Sequence, residues 1–314
     1  MKKKNRLSTV LIYVALIIGA LIMIFPFIWM VLTAVKTNAE VLQVPPTILP
    51  ENWDFSSFTK VFDLLPFGHL YLNTGLMILF RVLCAVIFSS MAGYAFAKLN
   101  FKGKNILFTL VIIQQMIPGQ IFIIPQYEMV AGLGLTDSIF SLVFPGLVSA
   151  FGTFFLRQAY MGIPDEIAEA AYLDGCTRWQ TFTKVLFPLT KSSVAALTVF
   201  TAVFSYADLM WPLVANTNIN STTLSAGLST LNSLSSTNYP VLMAGSLFAM
   251  LPMVILYLIF QRQFIEGVAM TGHFPQIIFR LNIPATAMAT SGVRLSMSGM
   301  RAEYSAWTLD LKIS

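Results

Sequence analysis

Residues 7–35 contain no Asp, Glu, Lys or Arg, and neither do residues 105–127, 138–156 and 192–207. A helix needs roughly 20 mostly apolar residues to cross the hydrocarbon core of a bilayer. A core helix of a soluble domain of that length would show a polar face, and these stretches show none. Charged residues make up only 11% of the 314-residue chain. About 25% is usual for a soluble domain, so too little charge remains to cover a water-exposed surface. These features predict an all-α, polytopic membrane protein.

Six spans are expected, at about 9–34, 70–97, 105–127, 137–158, 192–214 and 242–262. The basic start, Met1 to Arg6, is read as the flank of a first membrane helix. The apolar run behind it is too long for a secretory-signal core and lacks a small-x-small cleavage site. Prolines 26, 118, 125, 145, 212 and 252 interrupt the spans, as membrane helices tolerate where neighbours or cavity water satisfy the freed backbone.

Charge in the loops orients the chain. Lys2, Lys3, Lys4 and Arg6 precede span one, and Lys98, Lys102 and Lys104 lie between spans two and three. Arg157, Arg178, Lys184 and Lys191 lie between spans four and five, and Arg262 follows span six. The opposite side carries only Lys36 and Lys60. The positive-inside rule puts both termini in the cytoplasm, and an even number of spans agrees. The net charge of +5 is therefore a topology signal and not a nucleic-acid patch. Of the outer loops, 36–69 and 216–238 are long enough to hold small elements. Each reads equally as a cap or partner contact and as a connector. Cys84 and Cys176 stand far apart on unlike segments, which excludes a disulfide framework.

The loop between spans four and five carries the clearest local pattern. Pro164 suits a first helical turn, with Asp165 and Glu166 at the positive end of the dipole. Gly175 suits a left-handed helix cap. Trp179, Phe182, Val185 and Leu186 then recur at helical spacing, and Pro188 is expected to end the stretch. Two short helices meeting at a glycine elbow are predicted, with Glu169, Ala170 and Ala171 offering a charge and close backbone approach to another surface. A merely amphipathic inner-face loop is the alternative.

Glu169-Ala-Ala171, Asp174-Gly175, nine further residues and Val185-Leu-Phe-Pro188 resemble the "EAA" loop of binding-protein-dependent ABC importer permeases. Gly93-Tyr-Ala-Phe-Ala-Lys98, Met116-Ile-Pro-Gly-Gln120, Ile124-Pro-Gln-Tyr127, Leu133-Gly-Leu-Thr136, Phe155-Leu-Arg-Gln158 and Trp211-Pro-Leu213 are similar to the carbohydrate-uptake, maltose-type branch. The resemblance spans about residues 8–272. It implies a permease in the bacterial inner membrane that forms a pathway with a second permease. Two cytoplasmic ATPase subunits would grip the EAA loops, and an extracellular or periplasmic binding protein would deliver a carbohydrate. By position, Glu169, Ala170, Ala171, Asp174 and Gly175 would meet the ATPase. ATP and Mg would belong to those partners, with no cofactor on this chain. Cys176, Val185, Phe187 and Ser192 depart mildly from the family pattern. Residues 273–314 extend beyond it and are expected to be a poorly ordered, non-family tail.

Arg81 in span two and Asp208 in span five are charges inside the membrane, where they are costly and usually face a bundle interior or wet cavity. Pairing or an inter-subunit contact, and lining of the solute path, are both open to them. Gln114, Gln115, Gln120 and Gln126 suit sugar hydroxyls and interhelical hydrogen bonds equally well. In maltose-type relatives sugar contacts come largely from the other permease. No G-x-x-x-x-G-K-[ST] motif is present, so ATP hydrolysis is not expected of this chain. His69 and His273 have no metal spacing, and no G-x-S-x-G or H-E-x-x-H motif points to a hydrolase. The rivals are an importer permease for another solute and an ion-coupled secondary transporter. The latter would call for paired broken helices at mid-membrane.

Overall fold

In the computed structural model, residues 6–232 and 237–272 are described. They are predominantly helical, with no strand among them. Those up to Gly267 fall in one compact unit. The expected tail, 273–314, lies outside the described residues.

The helices that matter here are α1 (Arg6–Ala34), α2 (Ser56–Leu64), α3 (Phe67–Lys98), α4 (Lys104–Met116), α5 (Ile123–Gly132), α6 (Ile139–Val143) and α7 (Ala150–Met161). They continue as α8 (Asp165–Leu173), α9 (Arg178–Leu189), α10 (Lys191–Ala207), α11 (Met210–Ala215), α12 (Leu224–Ser229) and α13 (Tyr239–Gly272). Helices α1, α3 and α13 are long and apolar enough to cross a membrane unbroken. Three further spans arise only if bent pairs count as one: Lys104–Met116 with Gly119–Gly132, Ile139–Gly146 with Ala150–Met161, and Arg178–Leu189 with Lys191–Ala207.

The bends correct two expected boundaries. The apolar run 105–127 is not one helix, because the chain turns through 98° between Met116 and Gly119. Pro118 caps the turn and Gly119 opens a short 3-10 segment. The run 192–214 stops at Ala207, leaves the helix at Asp208 and resumes in α11, with Pro212 in its first turn. Pro26 and Pro252, by contrast, sit inside continuous helices.

Helix α3 is the spine. Near Phe67 it anchors one core of Val61, Leu65, Leu70, Leu224 and Val241. Near Lys98 it anchors another, of Tyr94, Leu156, Tyr160, Phe182, Leu186 and Leu197. Between them α3 meets its main partners, α7 and α10, across small residues. A Cβ on Gly93 would lie 2.9 Å from the Arg157 backbone nitrogen, and one on Gly152 2.4 Å from Ser89 Oγ. Such contacts let backbones approach without a hydrophobic drive, as membrane helices require. Apolar side chains instead cover the outside: Ile22, Met23, Ile106, Leu110 and Ile259 are all more than half exposed.

Candidate functional site

Two constellations stand out, and the first is the elbow at 163–188. Helix α8 starts behind Pro164 with Asp165 and Glu166 in its first turn. It ends in a left-handed Gly175, φ +84°. Cys176 N–H donates to Ala171 O at 2.9 Å and Gly175 N–H to Tyr172 O at 3.0 Å, the bond pattern that caps a helix through a glycine. Helix α9 opens on a reciprocal capping box between Thr177 and Gln180. Residues Thr181–Leu186 then widen into π-helical turns, and Phe187 N–H reaches back five residues to Phe182 O. This register lies just ahead of Pro188, which has no N–H to offer and would crowd the carbonyl four residues back in an ordinary α-helix. The helix runs through Pro188 to Leu189 before α10 departs at 76°, so Pro188 does not itself end it.

The elbow is fastened to the body. Lys98 Nζ, at the end of α3, bonds Ile163 O and pairs with the Asp165 carboxylate. Tyr94 OH donates to Arg178 O at 3.3 Å, and its ring stacks on Phe182 at 5.0 Å between centroids. Glu169, Ala170, Asp174 and Gly175 are exposed. Ala171 is not: it is 7% exposed, and with Ala168 it forms the stripe of α8 turned toward the chain's own body. Three and four residues apart share a helix face, so the outward face belongs to Glu166, Glu169, Ala170 and Leu173. Leu173 is 89% exposed and Trp179 60%.

The second constellation lies in the helix bundle. Arg81 is 6% exposed, and its Nη1 meets Asp208 Oδ2 at 2.9 Å. Nε and Nη2 both donate to Leu142 O. Leu142 O is free to accept because the chain breaks into the 3-10 turn Phe144–Gly146 instead of continuing α6. Gly146 makes room: a Cβ there would lie 2.5 Å from Arg81 Cγ. Arg81 also lines a cavity of about 230 Å³, together with residues that include Ala85, Ser149, Phe151, Thr201 and Phe204. Gln115 and Gln120 do not line it. Both are exposed, and Gln115 donates weakly to Ala150 O at 3.4 Å.

Three features escaped sequence reasoning. Trp211 Nε1 donates to Ser141 O at 2.7 Å, and Ser141 Oγ bonds Asn216 Oδ1. Asn73 Nδ2 holds the carbonyls of Asn220 and Thr222, pinning the loop before α12 to α3. Asp137, at φ +57°, clamps the same loop through Asn218 N–H at 2.8 Å and Ser221 Oγ at 2.9 Å. The Asn218 N–H in particular, with the two hydroxyls of Ser221 and Thr217, holds the Asp137 carboxyl below its ordinary value against the cost of burial. Only Asp137 had a local signal, since Asp tolerates left-handed backbone. No group of three or more metal-ligating side chains occurs among the described residues.

Comparisons with known proteins concern the chain as a whole. Residues 85–269 match the family of binding-protein-dependent transport system inner membrane components. An arabinooligosaccharides transport system permease protein, AraQ of Bacillus subtilis, is 34% identical over 259 residues, covering 81% of this chain and 91% of that protein. The sn-glycerol-3-phosphate transport system permease protein UgpE of Pectobacterium atrosepticum is 31% identical over 263 residues, 81% and 94% of the two chains. The fold is shared with a chain of a bacterial ABC transporter involved in import of the acidic polysaccharide alginate. That match has a TM-score of 0.70 at 24% identity and covers 83% of this chain and 98% of the other. With most of its length matched by that family and by transport system permease proteins, this chain belongs to the binding-protein-dependent transport system inner membrane components.

Proposed function

We propose that the chain is one permease subunit of an ATP-driven importer for a carbohydrate. It would cross the membrane six times, with both termini in the cytoplasm. A second permease would complete the pathway, a binding protein would deliver the sugar, and separate ATPase subunits would supply the energy with their own ATP and Mg. Support for the carbohydrate comes from the arabinooligosaccharide permease relative. The Lys and Arg residues gathered in alternate loops support the orientation. Residues 1–272 would make up this permease and 273–314 an addition to it.

The observation that carries the mechanism is the elbow. A lever needs stiffness, an exposed face and a fixed fulcrum. Capping at Gly175 and Thr177 supplies stiffness, and Leu173 with Glu169, Ala170 and Asp174 supplies the face. Lys98–Asp165 and Tyr94–Arg178 supply the fulcrum on α3. An ATPase that grips α8 would therefore move α3 with it, and α3 carries Arg81 and the seam with α7. The sugar path would pass the cavity beside Arg81, with Gln115 and Gln120 on the flanking segment.

The sn-glycerol-3-phosphate permease relatives favour a second reading, a small phosphorylated solute. Both readings meet one test. The assembled transporter, with its binding protein and enclosed ATP, is given labelled arabinooligosaccharide or glycerol 3-phosphate in proteoliposomes. Sugar uptake that needs ATP and the ATPase subunits is expected. Uptake of glycerol 3-phosphate alone would replace the carbohydrate reading. Uptake by this chain alone, driven by an ion gradient, would sink both.

A further inference from the structure

A second, larger cavity, of about 580 Å³, opens where the end of α3, the start of α4 and the end of α7 converge. Its lining includes Asn100, Phe101, Lys104, Asn105, Ile106 and Arg157. We infer that this cavity binds the phosphodiester headgroup of an anionic phospholipid, independently of the solute that is transported.

The charge of the cavity is not balanced within its own lining. Among the described residues the ion pairs are Arg81–Asp208 and Lys98–Asp165. Lys104 and Arg157 therefore share a lining that contains no acidic side chain, and the carboxylate that acts on Lys104, that of Asp165, is already paired with Lys98. Lys104 Nζ rests on the carbonyls of Leu99 at 2.8 Å and Ala97 at 3.5 Å. Arg157 Nε donates to Phe96 O at 3.3 Å, and the guanidinium lies 4.0 Å over the Phe108 ring. An ammonium has three donors and a guanidinium five, so most of the guanidinium's remain for a ligand. Two cations held side by side repel each other, and an anion between them removes that repulsion.

The rim of the cavity is apolar and exposed. Phe101 is 40% exposed and Ile106 70%, and both lead onto the apolar outer surface of α4, where Leu110 is 55% exposed. A free phosphate would gain nothing from those side chains, whereas acyl chains would cover them. Asn100 and Asn105 add neutral hydrogen-bonding groups suited to a headgroup. Basic pockets between membrane helices are where anionic headgroups settle. The site also lies at a mechanical junction, because Gly162 and the elbow follow α7 directly.

Native mass spectrometry of the full complex tests this, after solubilisation with equal phosphatidylglycerol and phosphatidylcholine. Phosphatidylglycerol is expected to be retained preferentially, with retention falling about fivefold in Lys104→Gln, the loss of one basic contact near the surface. Lys102→Gln, an exposed lysine outside the lining, keeps it. Asn105→Asp places an anion inside the cavity without touching either cation and is expected to expel the lipid, which serves if Lys104→Gln does not assemble. Equal retention of the two lipids, or equal loss in the two lysine variants, overturns the inference. Displacement by added inorganic phosphate would overturn it too, assigning the cavity to the free ion.

Discussion

Arg81 and Asp208 are far apart in sequence, and each alone reads as an expensive intramembrane charge. Folding joins them at 2.9 Å and adds Leu142 O to the guanidinium. Removing one member of a buried pair leaves an unpaired charge and costs about 3–5 kcal/mol, while replacing both with apolar residues is often neutral. Arg81→Leu and Asp208→Leu are therefore each expected to shift SDS-induced unfolding strongly, with the double variant close to the parent. Recovery of uptake in the double variant would mean that the pair holds the bundle. A stable double variant without uptake would put the pair in the solute path. Gly146 tests the same site from the other side. Its added Cβ would press on Arg81 Cγ and Cδ, atoms fixed at the far end by Asp208, so Gly146→Ala is expected to cost about 1–3 kcal/mol in the same assay. Nothing in the Phe144-Pro145-Gly146 run shows that an arginine stem will lie against it. The pairing was legible as a possibility, because both charges needed a partner; the carbonyl and the glycine were not.

At the scale of elements, apolar runs located the helices but not their bends. Pro118 and Pro145 sit at breaks, while Pro26 and Pro252 do not. The difference is in the next residue: glycine follows the first two, Phe27 and Met253 the others. Pro-Gly is a turn signal, whereas a proline followed by bulky apolar residues loses one hydrogen bond inside an otherwise supported helix. The elbow was legible for the same reason, through Gly175 and Pro164. The inward stripe of Ala168 and Ala171 was not legible, because the Glu169-Ala-Ala171 triplet by itself does not mark which of its members faces the body. Packing of α3 on α7 was not legible, since two glycines on different helices carry no mark of meeting. It predicts an order of damage. A Cβ at Gly93 meets the backbone of Leu156 and Arg157, which cannot swing away. A Cβ at Gly152 meets chiefly the Ser89 hydroxyl, which can rotate at the loss of a weak 3.4 Å bond to Ser149 O, and then Ser89 Cβ at 3.0 Å and Ser149 Oγ at 3.2 Å, side-chain atoms that need give only a little. Gly93→Ala is expected to destabilise by about 2–3 kcal/mol and Gly152→Ala by about 1 kcal/mol, as overpacking costs run. Gly75→Ala meets nothing within 4 Å and stabilises slightly, because a helix interior prefers alanine to glycine. Unfolding midpoints that rank Gly152→Ala below Gly93→Ala would disprove the order.

For the whole molecule, the same long apolar helices that leave so much hydrophobic surface exposed make orientation the property on which everything else depends. If the elbow faces the cytoplasm, an ATPase can reach it; if it faces outward, no lever exists. The chain's own cysteines, both free, report on this without any substitution. Both are partly exposed, but Cys176 follows the elbow glycine, while Cys84 lies mid-way along α3, a helix long and apolar enough to cross a membrane. A membrane-impermeant maleimide needs water on its own side of the bilayer, and the hydrocarbon core offers none. Intact cells are therefore expected to show no labelling of this chain, and inside-out vesicles to label Cys176 alone. Adding the ATPase subunits to such vesicles should slow that reaction if they dock as proposed, because Cys176 adjoins the exposed Leu173–Gly175 face. Labelling of Cys176 from outside would invert the topology and remove the coupling mechanism with it. Labelling from inside that the ATPase leaves unchanged would keep the topology but place docking elsewhere on the inner surface.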